Sequence, residues 1–388
     1  MMNRSRFVLL AVLVCTMNAG AQEEPERSGT QLTLDDLRTF TDVFNQVRTR
    51  YVEEVDEHTL LTDAIEGMLS SLDPYSVFLD PEQFRALDEA SRGRHGGIGV
   101  RTEVRDGRIF FDDVLPGSPA ELGGARAGDM LISVDGQAVR GRKLSESIAA
   151  LDGEPGSALS IRLKSVDQAV RELRLIRDFV EVASVKSKLL EGAFAYFEIS
   201  HFHRNSHSEL ENAIHALQAA RNAPLAGIIL DLRRNAGGVL QGAIEMADGF
   251  LDQGLIVTTR GRDAVESLEF QARPGQWTPG IPVAVLVDRR TASASEVLAG
   301  ALQDHGRALI IGEKTFGKGS IQSVLALRNG SGLRLTTAHY FTPSGNDIHN
   351  HGIQPDVLLM PGDVNENDPA LHEALQQLKS MVAGNPQP

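Results

Sequence analysis

The chain of 388 residues carries 38 basic and 52 acidic side chains, which gives a formal net charge of -14 at pH 7. A surface this acidic argues against nucleic acid and anionic membranes as partners, because both carry negative charge themselves. With 41% apolar residues and a single cysteine, the sequence predicts two or three compact domains that are not held together by disulfides.

The N-terminus has the three parts of a secretory signal peptide. A charged start, MMNRSR, precedes an apolar stretch over residues 7–15, and the small residues AGA follow at 19–21. The apolar stretch is shorter than the roughly 20 residues that a spanning helix needs. We therefore expect residues 1–21 to be removed after Ala21 and the protein to be exported, in a bacterium to the periplasm. The only cysteine, Cys15, lies inside this segment, and its removal changes the formal charge from -14 to -16 by the loss of two arginines.

Residues 22–93 are predicted to form an N-terminal helical region. The polar segment QEEPERSGTQ opens it, and apolar side chains then recur at helical spacing in two runs, over 34–51 and 60–72. The segment SLDPYS at 71–76 ends the second run, because Pro74 disfavours helix in the residue before it.

Residues 94–178 change to short alternating strands separated by glycines. The strands are predicted in the segments GGIGVRTEV, RIFFDDV, DMLISVDG and ALSIRLKS. Between them, PGSPAELGGARAGD predicts turns with one short helix, and KLSESIAALDG predicts a longer helix. A module of about 85 residues is large enough to fold as an independent domain.

Residues 179–362 alternate apolar strands with helices. The strands are FAYFEI, LAGIILDLRRN, IPVAVLVD and ALIIGE, and the helices are predicted over 206–221, 239–252 and 294–303. This alternation predicts a largely parallel sheet, whose loops at the carboxyl ends of the strands tend to carry the chemistry. Residues 363–388 are predicted to form a C-terminal helix and a frayed tail.

Two motifs partly match the patterns of a nucleotide-binding site and of a zinc site, and neither match is complete. GEKTFGK at 312–318 matches the first seven positions of a phosphate-binding P-loop, but Gly319 stands where Ser or Thr would bind magnesium, and SIQSVLAL then predicts a strand. HFHRNSH at 201–207 has three histidines and no carboxylate, which favours exposed loop histidines over a zinc site. We expect neither a metal nor an organic cofactor.

Ser293, in the segment TASASE, has two interpretations. It is either a cap of the helix that begins near Ala294 or a nucleophile, and a nucleophilic serine needs a base. Lys318 is the candidate base, because Phe316 would shield its amine and burial lowers the pKa of a lysine. Gln322 would orient the amine through a neutral hydrogen bond. From these residues alone the capping interpretation stays open.

The segment TASASEVLAGALQDHGRALIIGEKTFGKGSIQ resembles the signature of the carboxyl-terminal processing proteases, also called tail-specific proteases. In that serine protease family, the serine of Ala-Ser-Ala-Ser-Glu pairs with the lysine of Phe-Gly-Lys-Gly, and the spacing from Ser293 to Lys318 agrees. GMLSSLDPYSVFL, DLRRNAGG and YFTPSGNDIHNHGIQPDV extend the resemblance over nearly the whole mature chain. One departure is Asn346, near which family members often carry a basic residue.

The resemblance implies an α/β fold with three parts: the N-terminal helical unit, an inserted β-rich PDZ domain over 94–178, and a crotonase-like α/β protease core over 179–362 with a largely parallel sheet. It implies that Ser293 is the nucleophile, Lys318 the general base and Gln322 its support. The oxyanion hole would be the backbone N–H groups of Gly238 and Ala294, with glycine allowing close approach to a substrate carbonyl.

In the PDZ domain, the segment GGIGV would bind a peptide carboxylate, through Gly97, Ile98, Gly99 and Val100. A PDZ groove adds a peptide as a strand and binds its terminal carboxylate with backbone N–H groups. The resemblance therefore implies an endopeptidase that acts through an acyl-enzyme on proteins or peptides with free C-terminal tails. It leaves open a homo-oligomer or an adaptor protein as further partners.

Two alternatives belong to other classes. A catalytically silent PDZ scaffold that binds tails would have no need of the Ser-Lys-Gln set. A crotonase-like enzyme acting on acyl-CoA would share the strand and helix layout, but it gives no role to a Ser-Lys pair or to a PDZ domain.

Overall fold

The computed structural model describes residues 32–262, 267–359 and 368–384, so the predicted signal peptide lies outside the described residues. The helices are α1 (Leu34–Arg50), α2 (Glu57–Ser70), α3 (Pro81–Ser91), α4 (Pro119–Leu122), α5 (Leu144–Ala149), α6 (Ser206–Arg221), α7 (Leu240–Asp248), α8 (Ala294–Asp304) and α9 (Pro369–Gly384). None of the helices in these ranges is both long and apolar enough to cross a membrane.

The strands fall into four sheets. They are β1 (Val77–Leu79), β2 (Arg94–Gly97), β3 (Val100–Arg105), β4 (Arg108–Val114), β5 (Met130–Val134), β6 (Gln137–Ala138), β7 (Ala158–Lys164), β8 (Val170–Ile176), β9 (Asp178–Glu181), β10 (Val185–Leu189), β11 (Phe194–Ile199), β12 (Gly227–Asp231), β13 (Gly254–Gly261), β14 (Glu269–Ala272), β15 (Val283–Val287), β16 (Ala308–Gly312), β17 (Ser320–Ala326), β18 (Gly332–Phe341) and β19 (Val357–Leu358).

The chain divides into two compact units, residues 1–64 and residues 65–388. In the first unit, α1 begins at a capping box in which the Thr33 hydroxyl accepts from the N–H of Asp36 and the Asp36 carboxylate accepts from the N–H of Thr33. Such a box satisfies two N–H groups that lack partners within the helix. The helices α1 and α2 confirm the helical spacing predicted for 34–72.

The strand β1 lies within the predicted N-terminal helical region, directly after the segment SLDPYS that ends the second helical run. It pairs in antiparallel register with β18, with Val77 opposite Arg334. Its hydrogen bonds come from a strand far along the chain, so local spacing does not reveal it. The helix α3 follows directly, with Asp80 as N-cap and Pro81 in its first turn.

The β-rich module has its own sheet and its own core. Its six strands have the order β3-β4-β5-β7-β8, with β6 paired to β5, and all pairs are antiparallel. Ile98, Phe111 and Ile161 are among the fully buried side chains of this core. At its two ends, β2 and β9 pair into a separate two-stranded ribbon, with Gly97 opposite Asp178. The module is therefore an insertion that leaves and re-enters the fold at adjacent points.

The central sheet has the order β10-β11-β12-β15-β16-β19 and is parallel except for the pair β10·β11. This confirms the predicted largely parallel sheet. Successive side chains of β12 point to opposite faces, as strand geometry requires. Leu230 packs into the core that contains α6, α7 and α8, whereas Ile229 packs into the core that contains Leu378 of α9. Helices thus cover both faces.

A second, antiparallel sheet lies in the same unit, with the order β1-β18-β13-β14 and with β17 paired to β18.

Among the predicted helices, 206–221 and 294–303 agree with α6 and α8, but the predicted helix over 239–252 is longer than α7. The helix α7 ends before Gly249, where a Cβ atom would lie 2.4 Å from the Trp277 ring. The ring packs on the bare backbone at this position.

Candidate active site

Four parallel strands end at one edge of the central sheet. Because β11, β12, β15 and β16 run in the same direction, the loops that follow them lie at the same edge. Ser293 lies in the loop after β15, Gly238 in the loop after β12 and Lys318 in the loop after β16. The topology therefore brings the three loops that hold the predicted residues to one place.

Ser293 has a strained backbone at the start of α8. Its φ of 58° and ψ of -121° lie outside the usual regions for a residue with a side chain. Such a conformation costs about 1–3 kcal/mol and persists where the surroundings over-determine it, commonly at active sites. The N–H of Ser293 donates to Glu296 Oε2 at 2.8 Å, and the N–H of Glu296 donates to the Ser293 carbonyl at 2.8 Å.

Two glycines bring a backbone segment against this turn. A Cβ atom on Gly237 would lie 2.8 Å from Ser293 Cβ and 3.0 Å from Ala294 N, and one on Gly238 would lie 2.1 Å from the carbonyl oxygen of Phe202. Their φ values of 98° and 141° also favour glycine. Within the described ranges, the N–H groups of Gly238 and Ala294 donate to no acceptor. The geometry leaves both donors available to a substrate oxygen.

Asn235 joins three of the loops at this edge. It is fully buried, and its side chain donates to the carbonyl of Ile199 and accepts from the N–H of Gly237, both at 2.8 Å. Its own carbonyl accepts from the N–H of Ala292 at 3.0 Å and from Ser295 Oγ at 3.1 Å. The sequence analysis does not predict Asn235 as a site residue. Its position in the segment NAGG, three residues before Gly238, could have indicated it.

Glu296 links the loop of Ser293 to the loop of Lys318. Its fully buried carboxylate accepts from the N–H groups of Ser293 and Lys318 at Oε2, at 2.8 and 2.9 Å. At Oε1 it accepts from the N–H of Gly317 at 2.7 Å and from the Thr315 hydroxyl. Burial raises the pKa of Glu296, and these hydrogen bonds act in the opposite direction. Glu296 is absent from the residues that the sequence predicts for the site, although it ends the signature segment TASASE and stands at capping-box spacing from Ser293.

The amine of Lys318 is half-buried beneath an aromatic ring. Its Nζ lies 4.6 Å from the centre of the Tyr75 ring. Burial lowers the pKa of Lys318, and the positive charge of Arg334 lowers it further. Arg334 also donates to the Tyr75 carbonyl at 3.2 Å. The expected shielding by Phe316 is wrong: that side chain is 60% exposed, and its N–H is bonded to the Thr291 carbonyl.

The two side chains of the predicted dyad are not bonded to each other here. The hydrogen bonds among the described residues include none between Ser293 Oγ and Lys318 Nζ. The Ser293 hydroxyl instead contacts Tyr340. Burial raises the pKa of the Tyr340 phenol, and the contact with Ser293 lowers it. The Gln322 amide donates to Ser320 Oγ at 2.9 Å and to Thr336 Oγ1 at 3.4 Å. Support of Lys318 by Gln322 stays a prediction.

The predicted carboxylate-binding loop lies at the free edge of the β-rich module. Gly97 ends β2, Val100 begins β3, and β3 is the outermost strand of its sheet. Gly99 has a φ of 75°, and a Cβ atom on it would lie 2.3 Å from Ser118 Cβ. The N–H groups of Ile98 and Gly99 have no acceptor within the parts of the chain that the structure describes.

The histidine motif differs from its prediction. His203 is only 2% exposed, so the expectation of exposed loop histidines is wrong for this residue. Its ring packs on the bare backbone of Gly93, where a Cβ atom would lie 2.8 Å from Nδ1. Between residues 32 and 384, leaving out 263–266 and 360–367, no group of three or more His, Cys, Asp or Glu side chains is arranged to bind a metal ion.

The comparisons with known proteins agree with this layout. Peptidase family S41 matches residues 193–359, the PDZ domain matches 110–165, and the activating protease CtpB N-terminal domain matches 10–83. The fold and the site define a serine-type endopeptidase with a PDZ domain. The chain belongs to peptidase family S41, as a carboxy-terminal processing protease.

Relatives match most of the chain. The chain is 39% identical over 332 residues to the carboxy-terminal-processing protease of Bartonella bacilliformis. The matched segment covers 85% of this chain and 76% of that protein. It is 40% identical over 304 residues to the carboxyl-terminal-processing protease of a Picosynechococcus species, over 76% of this chain and 72% of that protein. A structure from Bacteroides fragilis, provisionally assigned as an S41 protease, is 17% identical with a TM-score of 0.55 over 87% of this chain and 97% of that chain. At that identity the likeness concerns the fold.

Proposed function

We propose that this protein is an exported endopeptidase that cleaves peptide bonds with a Ser293–Lys318 dyad and selects substrates by their free C-terminal tails. The observation that carries the proposal is the shared carboxylate of Glu296, which accepts from the backbone of both residues. The N–H groups of Gly238 and Ala294, beside the same turn, have no acceptor in the part of the chain that the structure describes. Nucleophile, base and oxyanion donors thus belong to one connected structure.

The reaction begins when the neutral Lys318 amine takes the proton of Ser293 Oγ as the oxygen bonds to the substrate carbonyl carbon. The carbonyl oxygen becomes an oxyanion and accepts from the N–H groups of Gly238 and Ala294. The C–N bond then breaks, and the Lys318 ammonium returns the proton to the leaving amine. Lys318 then takes a proton from water as the water oxygen bonds to the acyl carbon, and it returns that proton to Ser293 Oγ when the C–O bond of the acyl-enzyme breaks. Among the described residues Lys318 Nζ lies 4.6 Å from the centre of the Tyr75 ring and has no hydrogen bond to Ser293 Oγ, so this proton transfer requires the two atoms to approach.

Tail selection follows from the free edge of β3. An extended peptide added to this edge in antiparallel fashion directs its terminal carboxylate at the loop over 97–100. The N–H groups of Ile98 and Gly99 are the donors available there. The names of the two relatives above, as carboxy-terminal processing proteases, support a preference for substrate C-termini.

Export is part of the proposal and rests on the signal-peptide pattern of residues 1–21. In a bacterium with two membranes the destination is the periplasm. Fractionation of cells that produce the full chain, with N-terminal sequencing of the product, tests this point. Cytoplasmic protein that still begins at Met1 contradicts it.

The dyad is tested with Ser293→Ala, Lys318→Ala and the double variant on a peptide with a free C-terminus. Nucleophile and base act as one unit, so each single change is expected to lower kcat by about 10⁴-fold or more, and the double change no further. Circular dichroism and thermal melting check that the variants fold. Full activity of Lys318→Ala rules out the lysine base, and absence of cleavage by the wild type supports the silent scaffold instead.

A further inference from the structure

Three histidine rings pack in a row outside the catalytic residues, one pair edge-on and the other tilted, and this row is called the stack below. His95 lies on β2 of the ribbon, and His201 and His203 lie in the loop after β11. The ring centres of His95 and His201 are 5.6 Å apart, and those of His201 and His203 are 5.4 Å apart. The stack therefore spans from the ribbon that carries the PDZ domain to the edge of the protease sheet.

The stack flanks the residue that holds the oxyanion loop. Phe202, between His201 and His203, forms an isolated bridge with Gly238. Its N–H donates to the Gly237 carbonyl at 3.0 Å, and its carbonyl accepts from the N–H of Val239 at 2.8 Å. A Cβ atom on Gly238 would lie 2.1 Å from the same carbonyl oxygen. The position of the Gly238 backbone is thus set by the backbone of Phe202.

His203 is held on several sides. Its Nε2 lies 3.1 Å from Glu209 Oε1, and the other oxygen of Glu209 accepts from the N–H and the hydroxyl of Ser184. The N–H of His203 donates to Ser206 Oγ at 2.9 Å. These contacts join the start of α6 to the loop that contains Phe202. They leave little freedom for the backbone on this side of the bridge.

His201 lies in the middle of the stack with little room for a charge. Its Nε2 is buried with no hydrogen-bond partner among the residues that the structure describes, and its Nδ1 lies 3.0 Å from Ser200 Oγ. Burial, and after it the neighbouring rings of His203 and His95, lower its pKa to about 4, and Glu209 acts in the opposite direction.

His95 completes the charge environment of the stack. Burial lowers its pKa, the carboxylate of Asp152 in the loop after α5 raises it, and His203 lowers it. Arg177 faces Asp152 from the segment between β8 and β9. Among the described residues these interactions place two anions beside the stack, Glu209 at one end and Asp152 at the other. At neutral pH the three packed rings are thus best accommodated with the central one uncharged.

We propose that His201 and His203 are positioning residues for the oxyanion hole. The uncharged ring of His201, stacked between His203 and His95, holds the Phe202 backbone, which in turn places the N–H of Gly238. His95 extends this support to the ribbon from which the PDZ domain is inserted. The inference rests on the proposed function in one respect, the role of Gly238 as an oxyanion donor.

The test compares a charged and an uncharged replacement of one ring. His201→Lys replaces the ring with an amine whose ordinary pKa of ~10.4 favours the charged form at neutral pH. His201→Phe keeps an uncharged ring, and His215→Lys on the exposed face of α6 is the matched control. Because an oxyanion contact forms only in the transition state, we expect His201→Lys to lower kcat about tenfold or more with KM little changed. We expect His201→Phe and His215→Lys to stay near the wild-type kcat.

A second measurement does not depend on cleavage. The amide of Val239 is bonded to the Phe202 carbonyl, so its hydrogen exchange reports the bridge directly. We expect exchange at Val239 to be at least several-fold faster in His201→Lys and unchanged in His201→Phe and His215→Lys. Thermal melting shows whether the variants fold. Glu209→Gln, which removes the negative charge 3.1 Å from His203 Nε2, serves as a milder second variant with the same expected direction.

Unchanged Val239 exchange in both His201→Lys and Glu209→Gln overturns the inference, whether or not the wild type is active. Faster exchange with an unchanged kcat overturns the assignment to the oxyanion hole while leaving the dyad intact. Loss of kcat in His201→Phe equal to that in His201→Lys also overturns it, because the charge then makes no difference. A wild type without Ser293-dependent cleavage refutes the proposed function, and the exchange result still decides whether the stack positions Phe202.

Discussion

Glu296 is the residue on which both halves of the proposed dyad converge. All four of its partners are hydrogen-bond donors, three N–H groups and the Thr315 hydroxyl. A carboxylate satisfies four donors, whereas a carboxamide turns one acceptor into a donor. The ionised side chain thus matches its surroundings even though burial raises its pKa.

Glu296→Gln is therefore expected to separate the two loops. The new amide group faces N–H donors, and a buried donor without a partner costs about 1–3 kcal/mol. We expect kcat/KM to fall by about 10²-fold, because a small misplacement of nucleophile against base has this effect, together with a lower melting temperature. Glu313→Gln, in the same loop as Lys318, is the control. Wild-type kcat/KM in Glu296→Gln contradicts the positioning role.

The pH dependence of cleavage reports the amine of Lys318. Only the neutral amine accepts a proton, so kcat/KM is expected to rise with pH through an apparent pKa below the ~10.4 of a free lysine. Removing the charge of Arg334, which lowers this pKa, is expected to shift the rise to higher pH. Arg334→Gln then has a lower kcat/KM at neutral pH and the same value on the alkaline plateau.

The measurement is kcat/KM from pH 6 to pH 10 for the wild type, Arg334→Gln and the exposed control Arg328→Gln. The control is expected to follow the wild type. A rise that moves to lower pH in Arg334→Gln has the wrong sign for a lysine base in this environment. A flat wild-type profile, with chemistry shown to be rate-limiting, argues against Lys318 altogether.

Among the elements, the loop between β2 and β3 decides how the PDZ domain meets a peptide terminus. Asp152, in the loop after α5, comes close to it: a Cβ atom on Gly97 would lie 2.9 Å from Asp152 Oδ1. Asp152 is exposed, and an ionised carboxylate there repels a second carboxylate bound nearby. The loop thus combines free N–H donors with a neighbouring negative charge.

Asp152→Asn is expected to tighten binding of peptides with a free-acid C-terminus and to leave amidated peptides unchanged. Loss of one like-charge contact near the surface, worth about 1 kcal/mol, corresponds to a several-fold lower Kd. Fluorescence anisotropy on the inactive Ser293→Ala protein measures both peptides, with the exposed Glu154→Gln as control. An equal change for acid and amide peptides shows that Asp152 does not sense the terminus.

For the whole molecule, the ribbon β2·β9 makes the PDZ domain a separable insertion. Gly97 and Asp178 are directly paired, and paired residues lie about 5 Å apart at their Cα atoms. A two-residue Asn-Gly turn spans such a pair. Residues 98–177 can therefore be replaced by Asn-Gly without moving the ends of the ribbon.

The excised protein is expected to keep Ser293-dependent cleavage of short peptides and to lose the preference for free-acid over amidated tails. The central sheet, its two cores and the proposed dyad all lie outside the excised segment. The comparison is kcat/KM for matched acid and amide peptides, with the excised Ser293→Ala protein as blank. A preference that survives excision places tail selection in the protease core instead of the PDZ domain.

Much of the architecture could be predicted from local sequence because local physics determines it. Apolar runs that alternate with amphipathic helices predict a parallel sheet, and its order of loops brings Ser293 and Lys318 to one edge. The helices α6 and α8 follow from the helical spacing of their apolar residues. The family signature depends on short segments, so it too is readable without the fold.

The tertiary structure alone decided the contacts that join distant segments. Local spacing does not show that β1 pairs with β18, that Glu296 binds the Lys318 loop, or that Tyr75 covers the amine in place of Phe316. The same holds for His203, which a polar sequence context predicts to be exposed and which packing against Gly93 buries. The burial and charge of a side chain depend on what other elements bring to it, and sequence spacing specifies only its neighbours along the chain.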